Sequence, residues 1–387
     1  MGIKLTNKVD KKKGNLLIFL EILSCEGGIQ SYVKDIFRAY QYLTTSTKVP
    51  ISSLKADILL LRDGPECENP YQSSSLNFYY LKTQPAWLGR LRLAAILLWC
   101  LMTKQPKQVF CGHINLAPLV QALCVPLKIP YTVLTYGKEV WEPLPSKYQQ
   151  ALQQASRILT ISRYSRDRSC TSNYLDSQKF QLLPCMVDGD TFIPGPKPVD
   201  LIQRYHLQGA KVLMTVARLW SGDPYKGVDV TIRALPEILR IFPKVKYLVI
   251  GRGDDQPRLA KLAQDLGVAE QVVFAGFVPT EDLIKHYQVA DAYVMPSQEG
   301  FGIVYLEAMA CGIPVLSGDA DGSADPLQDG KLGWRVPHRQ PEAVANACIE
   351  ILKGEDRRCD GQWLREETLK IFGRVAFTER LRQLLDL

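Results

Sequence analysis

Short apolar runs alternate with amphipathic helical patterns along the second half of the chain. The strands predicted there are 211–219, 245–253, 271–278, 291–297 and 313–318. Between them lie four predicted helices, 230–242, 257–268, 280–290 and 301–312, in which apolar residues recur at helical spacing. Alternation of strand and helix at this pitch is typical of βαβ units, so it predicts a parallel sheet covered by helices.

The first half shows the same alternation less regularly. Its predicted strands are 15–23, 51–61, 107–113, 129–137 and 156–163, and a helix over 29–43 follows the first of them. No short-period repeat links the halves. The pattern predicts an α/β protein of two Rossmann-like, doubly wound domains that face each other across a ligand cleft at the carboxyl ends of the strands.

Residues 190–200 hold three prolines and one glycine, a composition that suits a connection between domains. We therefore predict an N-terminal domain over 1–190, a linker over 191–200 and a C-terminal domain over 201–365. The closing segment, 366–387, is predicted to be a helix. The length of 387 residues fits two domains.

Composition excludes several protein classes. Hydrophobic residues make up 46% of the chain and charged residues 22%, which rules out a disordered chain, a collagen and a coiled coil. Ten cysteines without a CxxC pair and only four histidines offer no zinc ribbon or finger, and no metal site is predicted. We predict neither a signal peptide nor a membrane span, because the longest apolar run, 93–102, is far shorter than the roughly 20 residues a bilayer requires. The expected location is the cytoplasm, with reduced cysteines.

Positive charge is concentrated in the first half. Residues 1–196 carry 23 basic and 14 acidic side chains, whereas residues 197–387 carry 24 and 26. This asymmetry suggests an anionic lipid, a nucleic acid or an anionic substrate as partner, and solvated lysines without a partner are the alternative.

The strongest candidate site is the segment EGFGIVYLE, from Glu299 to Glu307, directly after a predicted strand. Glycines let a backbone approach a ligand closely, and a helix starting near Phe301 would aim its free amides at a diphosphate. Arg218 at the end of a strand and Lys226 before the next helix place two cations at the same sheet edge. A capping loop and ordinary surface cations are the alternatives.

The first half offers weaker candidates. Gly27 and Gly28 lie between the first strand and its helix, where they admit a phosphate or a sugar, or simply form a tight turn. His113 and Tyr136 each end a predicted strand, although a lone histidine is more often structural. No GxGxxG motif is present, so a nicotinamide site has weak support.

Together these residues resemble retaining glycosyltransferases of the GT-B fold, specifically the large family 4, or group 1, set. The matching features are the early Gly-Gly turn, the strand-end arginine with Lys-Gly, the two glutamates eight positions apart, and the segments AMACGIPVL and DGKLGWRV. The similarity covers most of the chain and is strongest from about Val212 to Val336.

The resemblance implies a role for each matching position. Arg218 and Lys226 would bind the donor diphosphate, Glu299 the donor sugar and Glu307 the ribose hydroxyls. The other implied donor contacts, together with His113 as a catalytic candidate, are Gly27, Gly28, Tyr136, Phe301, Gly302 and Ile303. The family usually needs no metal or other cofactor, and the DAD segment, 319–321, follows a predicted strand where the family pattern places a dispensable turn. Family members commonly carry histidine where Tyr136 stands, and this chain has an inserted SGDPY segment before Lys226.

In this family the first domain usually reads the acceptor, here a saccharide or a lipid-linked sugar. Segment 83–105 carries Trp87, Arg90 and Arg92 ahead of an apolar helix, which suits peripheral contact with the inner face of a membrane; a buried domain helix is the alternative. Expected partners are therefore a nucleotide sugar and this acceptor, with no nucleic acid, because no groove or stacking motif accompanies the charge. The resemblance implies a hexosyltransferase of polysaccharide or glycolipid synthesis; a GT-B epimerase and a non-catalytic sugar-nucleotide-binding protein are the alternatives.

Overall fold

The computed structural model describes residues 14–46, 55–222 and 226–385. The chain divides into two compact units. Unit 1 comprises residues 1–161, 165–183 and 378–387, and unit 2 comprises residues 162–164 and 184–377. Part of the predicted strand 51–61, the inserted residues 223–225 and the basic residues 1–13 lie outside the described residues.

Unit 1 is built on a seven-stranded sheet whose paired strands are all parallel. Its spatial order is β3-β2-β1-β4-β5-β6-β7. The central strands are mostly buried, as expected for a parallel sheet covered on both faces, whereas the edge strands β3 and β7 are largely not buried. Their bounds are β1 Asn15–Phe19, β2 Ala56–Leu60, β3 Leu76–Tyr80, β4 Val109–Cys111, β5 Tyr131–Thr135, β6 Arg157–Thr160 and β7 Phe180–Leu182.

Five helices run between the strands of this sheet. They are α1 Gly28–Ser46, α2 Ala86–Thr103, α3 Ala117–Cys124, α4 Ser146–Gln154 and α5 Arg163–Asn173. Helix α2 is long and apolar enough to cross a membrane by length and composition, a property that the sequence analysis did not anticipate. The helix extends seven residues before the apolar run 93–102 and includes Arg90 and Arg92.

Unit 2 contains a six-stranded parallel sheet in the order β10-β9-β8-β11-β12-β13. Its strands are β8 Lys211–Val216, β9 Val245–Ile250, β10 Val272–Gly276, β11 Ala292–Met295, β12 Val315–Gly318 and β13 Trp334–Val336. Its helices are α6 Val199–Arg204, α7 Val228–Ile241, α8 Gln256–Asp265, α9 Thr280–Val289, α10 Ile303–Ala310, α11 Pro341–Lys353 and α12 Gly361–Phe372. A last helix, α13 Arg374–Leu384, begins in unit 2 and passes into unit 1 at Thr378.

The predicted fold class is confirmed, since both units are parallel-sheet α/β layers. Three strands escaped prediction, namely β3, β7 and β13. Two of them, β7 and β13, are only three residues long; the equally short β4 was predicted only as part of the longer segment 107–113. The compact units have other boundaries than the predicted domains, because residues 184–200 belong to unit 2. The closing segment is helical, with α12 and α13.

Candidate functional site

The predicted site residues of unit 2 collect at the carboxyl edge of its sheet. Arg218 follows β8, and Glu299 follows β11, the strand paired with β8. The chain leaves β8 towards β9 and β10 on one side and returns to β11 on the other, so the strand order reverses between β8 and β11. Ligands of open α/β sheets bind at such a switch point, which makes this edge the candidate site.

Lys226 and Glu299 meet there as an ion pair, although 73 positions separate them in the sequence. Lys226 Nζ donates to Glu299 Oε1, and the two side chains are only 21% and 17% exposed. Gly227 makes the approach possible, because its φ is +75° and a Cβ there would lie 2.4 Å from the carbonyl oxygen of Pro296. The turn before α7 is thereby pressed against the end of β11.

Arg218 supplies a second cation to the same edge. Its guanidinium lies 5.3 Å from the centre of the Trp220 ring, within range of a cation–π contact. Arg218 and Lys226 line one shallow cavity together with Asp229 and Asp255. Both carboxylates already have arginine partners: Arg339 pairs with Asp229 at 2.8 Å, and Arg258 pairs with Asp255 at 2.6 Å. These pairs reduce the repulsion that the acidic wall would otherwise exert on an anionic ligand.

Helix α10 begins within the candidate site. Gly302 caps it with φ +89°, so the helix starts at Ile303 and not near Phe301. The Phe301 ring is buried and packs edge-on against Phe372 at 5.9 Å between centroids. The Phe301 side chain therefore anchors the loop inside unit 2. The first N–H groups of a helix lack intrahelical partners, so α10 presents its positive dipole end a few residues from Glu299.

Glu307 lies in α10 and is held by a residue that sequence analysis missed. The hydroxyl of Tyr287, a fully buried side chain of α9, donates to Glu307 Oε2 at 2.7 Å. Burial, followed by the neighbouring Glu307 carboxylate, raises the pKa of Tyr287, so the hydroxyl keeps its proton. The sequence held no signal for this pair, because the partners lie 20 positions apart on different helices.

Unit 1 places Gly27 and Gly28 at the carboxyl end of β1, where α1 begins. A Cβ built on Gly28 meets no described atom within 4 Å, and one on Gly27 meets only the flexible Gln30 side chain. Neither glycine has a positive φ. The described packing of unit 1 therefore does not require glycine at position 28, which agrees with a role in admitting a ligand.

His113 and Tyr136 follow β4 and β5, two neighbouring strands of the same sheet. The His113 Nδ1 accepts the backbone N–H of Asn115 at 3.1 Å, which leaves the ring proton on Nε2 in the neutral form. Burial and then the Arg62 guanidinium lower the pKa of His113. The ring is thus neutral and able to donate from Nε2, and it is not arranged as a general base.

The Tyr136 hydroxyl is used inside unit 1. It donates to the carbonyl oxygen of Gly112 at 2.8 Å, and the ring packs edge-on against Tyr32. The Tyr136 backbone N–H donates to Glu139 Oε1 at 2.5 Å. Tyr136 therefore braces the turns that end β4 and β5, and its hydroxyl proton is not aimed at a ligand.

Over residues 14–46, 55–222 and 226–385, no group of three or more histidine, cysteine, aspartate or glutamate side chains is arranged to hold a metal ion. The two carboxylates of the DAD segment differ in environment, since Asp319 is exposed and Asp321 is buried.

The chain is similar to known glycosyltransferases. Residues 202–361 match the model of the family described as glycosyl transferases group 1. The chain is 37% identical over 231 residues to a GDP-mannose-dependent alpha-(1-6)-phosphatidylinositol monomannoside mannosyltransferase of Mycolicibacterium smegmatis; the match covers 56% of this chain and 59% of that protein. It is 31% identical over 210 residues to a D-inositol 3-phosphate glycosyltransferase of Mycobacteroides abscessus, covering 53% and 46%. These matches thus span about half to three fifths of the relatives' lengths.

Solved structures share the whole architecture. The Anabaena protein Alr3699/HepE in complex with UDP superposes with a TM-score of 0.74 at 18% identity, covering 96% of this chain and 99% of that one. A sucrose-phosphate synthase of Thermosynechococcus elongatus gives 0.73 at 19% identity, with 97% and 98% covered. At such identities the likeness establishes the GT-B fold alone. Residues 202–361 of the chain are thus similar to the glycosyl transferases group 1 family.

Proposed function

We propose that the protein transfers a sugar from a nucleotide-sugar donor to the hydroxyl of a lipid-linked acceptor. The observation that carries this proposal is the meeting of Lys226 and Glu299 at the switch point between β8 and β11, beside the start of α10. A cation, a carboxylate and a helix N-terminus at one edge provide contacts for a diphosphate and for sugar hydroxyls. The relatives named above support the same class of reaction.

In the proposed mechanism, cleavage of the bond between sugar and phosphate develops negative charge on the diphosphate. Arg218, Lys226 and the amides of α10 stabilise that charge, so the chemistry needs no metal or other cofactor. The Lys226 ammonium, which bonds Glu299 in the ligand-free chain, turns towards the phosphate when the donor binds. Glu299 is then available to a hydroxyl of the donor sugar.

Glu307 binds the ribose of the donor in this scheme. Because the Tyr287 hydroxyl holds one carboxylate oxygen, the carboxylate orientation is set before the ligand arrives. The acceptor hydroxyl forms the new glycosidic bond on the face that the leaving group vacates, and its proton passes to the departing phosphate. The sugar keeps its anomeric configuration, and no carboxylate nucleophile is required.

For unit 1 we propose two donor contacts. The open space above Gly28 admits the nucleotide-sugar donor. His113 donates a hydrogen bond from Nε2 to a hydroxyl of the donor sugar. With the Tyr136 hydroxyl bonded to Gly112, the family's histidine contact at that position is absent, and the neighbouring His113 offers a donor in its place.

The acceptor that best suits the chain is an inositol phospholipid. The named relatives act on phosphatidylinositol monomannoside and on D-inositol 3-phosphate, and helix α2 offers a surface suited to a bilayer. Its outward side is apolar instead of polar, with Trp87, Leu91, Trp99 and Met102 each more than half exposed. We propose that the protein acts at the inner face of a membrane as a peripheral protein.

Helix α2 contacts the membrane surface in this proposal and does not span it. Its inward side packs into unit 1 through Gly89, Leu93, Leu97, Cys100 and Leu101, so the helix is part of a folded domain. Arg90 and Arg92 are exposed beside the apolar side chains, where they meet anionic headgroups. Such a helix lies in the interface with its apolar side buried among the lipids.

The test is a transfer assay with radiolabelled UDP- and GDP-sugars and vesicles that contain phosphatidylinositol. Vesicles with phosphatidylglycerol at equal charge are the control. We expect label in the inositol lipid from one nucleotide sugar, with retained anomeric configuration by NMR and no effect of EDTA. An epimerised donor without lipid product, or donor binding without turnover, would contradict the proposal.

A further inference from the structure

A buried carboxylate lies behind the Glu299 loop and was not among the predicted site residues. Asp321 follows β12, the strand next to β11, and is 3% exposed. Its Oδ2 accepts the backbone N–H of Glu299 at 2.5 Å, and its Oδ1 accepts the backbone N–H of Ser323 at 2.9 Å. The Ser323 hydroxyl also donates to Oδ1. Both carboxylate oxygens therefore accept hydrogen bonds, and the bond to Oδ2 comes from Glu299, a residue of the candidate site.

A second contact ties the same two segments together. The backbone N–H of Gly322 donates to the carbonyl oxygen of Glu299 at 2.8 Å. A Cβ on Gly322 would lie 2.0 Å from the carbonyl oxygen of Gly300, so only glycine allows the turn to come this close. Both backbone polar groups of Glu299 are thus bonded to the turn that Asp321 organises.

We propose that Asp321 is a positioning residue: through the backbone of Glu299, its carboxylate fixes where the Glu299 side chain meets Lys226 and the donor sugar. The inference rests on the proposed function, since it assigns Glu299 to the sugar. A backbone anchored at both its amide and its carbonyl leaves Glu299 mainly its side-chain torsions. The carboxylate is therefore presented at the switch point before a ligand arrives, which lowers the ordering cost of binding.

Burial of the Asp321 carboxylate is electrostatically unfavourable. Burial raises the pKa of Asp321 to about 6, against the hydrogen bonds from Ser323 and Glu299, and the Glu299 carboxylate raises it further. Two titratable groups face Asp321, namely Glu299 on the loop after β11 and Tyr305 on α10. Lys226 is connected to these groups through its ion pair with Glu299. His338 pairs with Asp319, which lies in the same turn as Asp321. Burying one carboxylate beside another is unfavourable unless hydrogen bonds to the buried carboxylate offset the cost.

The variant Asp321→Asn tests the inference, because an amide has the same shape but only one accepting oxygen for two N–H groups. We expect the KM for the sugar nucleotide to rise about tenfold, while the Kd for the nucleoside diphosphate alone stays within about twofold. The matched control is Asp319→Asn, an exposed carboxylate of the same turn, which should behave as the wild type.

The pH profile separates positioning from a merely structural role. Below about pH 6 the wild-type Asp321 takes up a proton and weakens its hold on Glu299, so the wild type comes to resemble Asp321→Asn. The ratio of wild-type to variant kcat/KM for the donor should therefore fall towards one as the pH drops below about 6. Groups that titrate in both proteins cancel in this ratio.

Equal KM values, or a ratio independent of pH, would overturn the inference. If Asp321→Asn loses nucleotide binding and thermal stability together, Ser323→Ala replaces it, since that change removes one donor to Asp321 and leaves Glu299 untouched. A Ser323→Ala variant with wild-type KM would equally overturn the inference. Failure of the wild type to bind any nucleotide would instead overturn the proposed function.

Discussion

The Tyr287 hydroxyl donates to Glu307, which affects how this carboxylate can bind a ligand. A tyrosine donor orients the carboxylate while leaving its negative charge in place, whereas an arginine would neutralise it. Tyr287 is fully buried and its raised pKa keeps it a donor over the whole physiological range. The negative carboxylate is thus kept for accepting hydrogen bonds from hydroxyl groups.

Removing that hydroxyl should weaken nucleotide binding selectively. For Tyr287→Phe we expect the Kd of the nucleoside diphosphate to rise about threefold to tenfold, the worth of one hydrogen bond. The Kd of inorganic pyrophosphate, which has no ribose, should stay unchanged. Calorimetry of both ligands makes the comparison, with the exposed Tyr174→Phe as control. An equal loss for both ligands would contradict the assignment of Glu307 to the ribose.

The glycines of the chain divide by what surrounds them. Gly28 faces open space, whereas a Cβ on Gly253 would lie 1.8 Å from the carbonyl oxygen of Leu219. Backbone cannot move aside as a flexible side chain does. Gly253 is therefore required by packing, and Gly28 is required only if a ligand approaches it.

This contrast predicts opposite outcomes for two alanine variants. Gly28→Ala should change the free energy of unfolding by less than about 0.5 kcal/mol and lower sugar transfer about tenfold, because the methyl group occupies the ligand's space. Gly253→Ala should destabilise the protein by about 2 kcal/mol or more. Urea denaturation and the transfer assay measure the two effects. Full activity in Gly28→Ala would show that no ligand approaches that position.

At the scale of elements, α2 differs from an ordinary surface helix. Such a helix shows polar residues to solvent and apolar residues to the core, but the exposed side of α2 is largely apolar apart from Arg90 and Arg92. A largely apolar helix is normally buried, and α2 is only partly so. The exposed side accordingly needs an apolar environment, for which a bilayer surface is the proposed source.

Charge on the exposed side of α2 should remove membrane binding. We expect Leu91→Glu and Trp99→Glu each to lower cosedimentation with anionic vesicles at least about tenfold, and added salt to weaken the wild type. Val375→Glu, a change at an equally exposed apolar residue of α13, is the matched control. Vesicle binding that is the same in all four proteins would contradict a role for α2.

Sequence pattern predicted elements well where they were long and bounded by turns. The strands β8, β9 and β11 and the helices between them follow from their apolar runs. The three-residue strands β7 and β13 were not predicted, whereas the equally short β4 was found only within the longer predicted segment 107–113. The start of α10 was placed two residues early, since nothing in the sequence indicates that Phe301 turns inward to pack on Phe372.

At the scale of the whole molecule, the chain repeats one layer design with different chemistry. In each sheet the strand order reverses beside the first strand of the unit, β1 or β8, and the predicted site residues follow the strands at that point. The family motif predicted Arg218, Lys226, Glu299 and Glu307. Tyr287 holds Glu307, and Asp321 holds Glu299. Neither could be predicted from the sequence, because these contacts join separate elements of the fold.

The most direct test of the account is calorimetric titration with UDP, GDP, ADP and dTDP, alone and with Lys226→Ala. Lys261→Ala is the control, since its ammonium pairs only with Asp265 on the surface of α8 among the described contacts. We predict that one nucleotide binds the wild type and the control, and that Lys226→Ala binds it at least about tenfold more weakly. Absence of binding at millimolar concentration, or equal affinity in Lys226→Ala, would contradict a diphosphate site at the edge between β8 and β11.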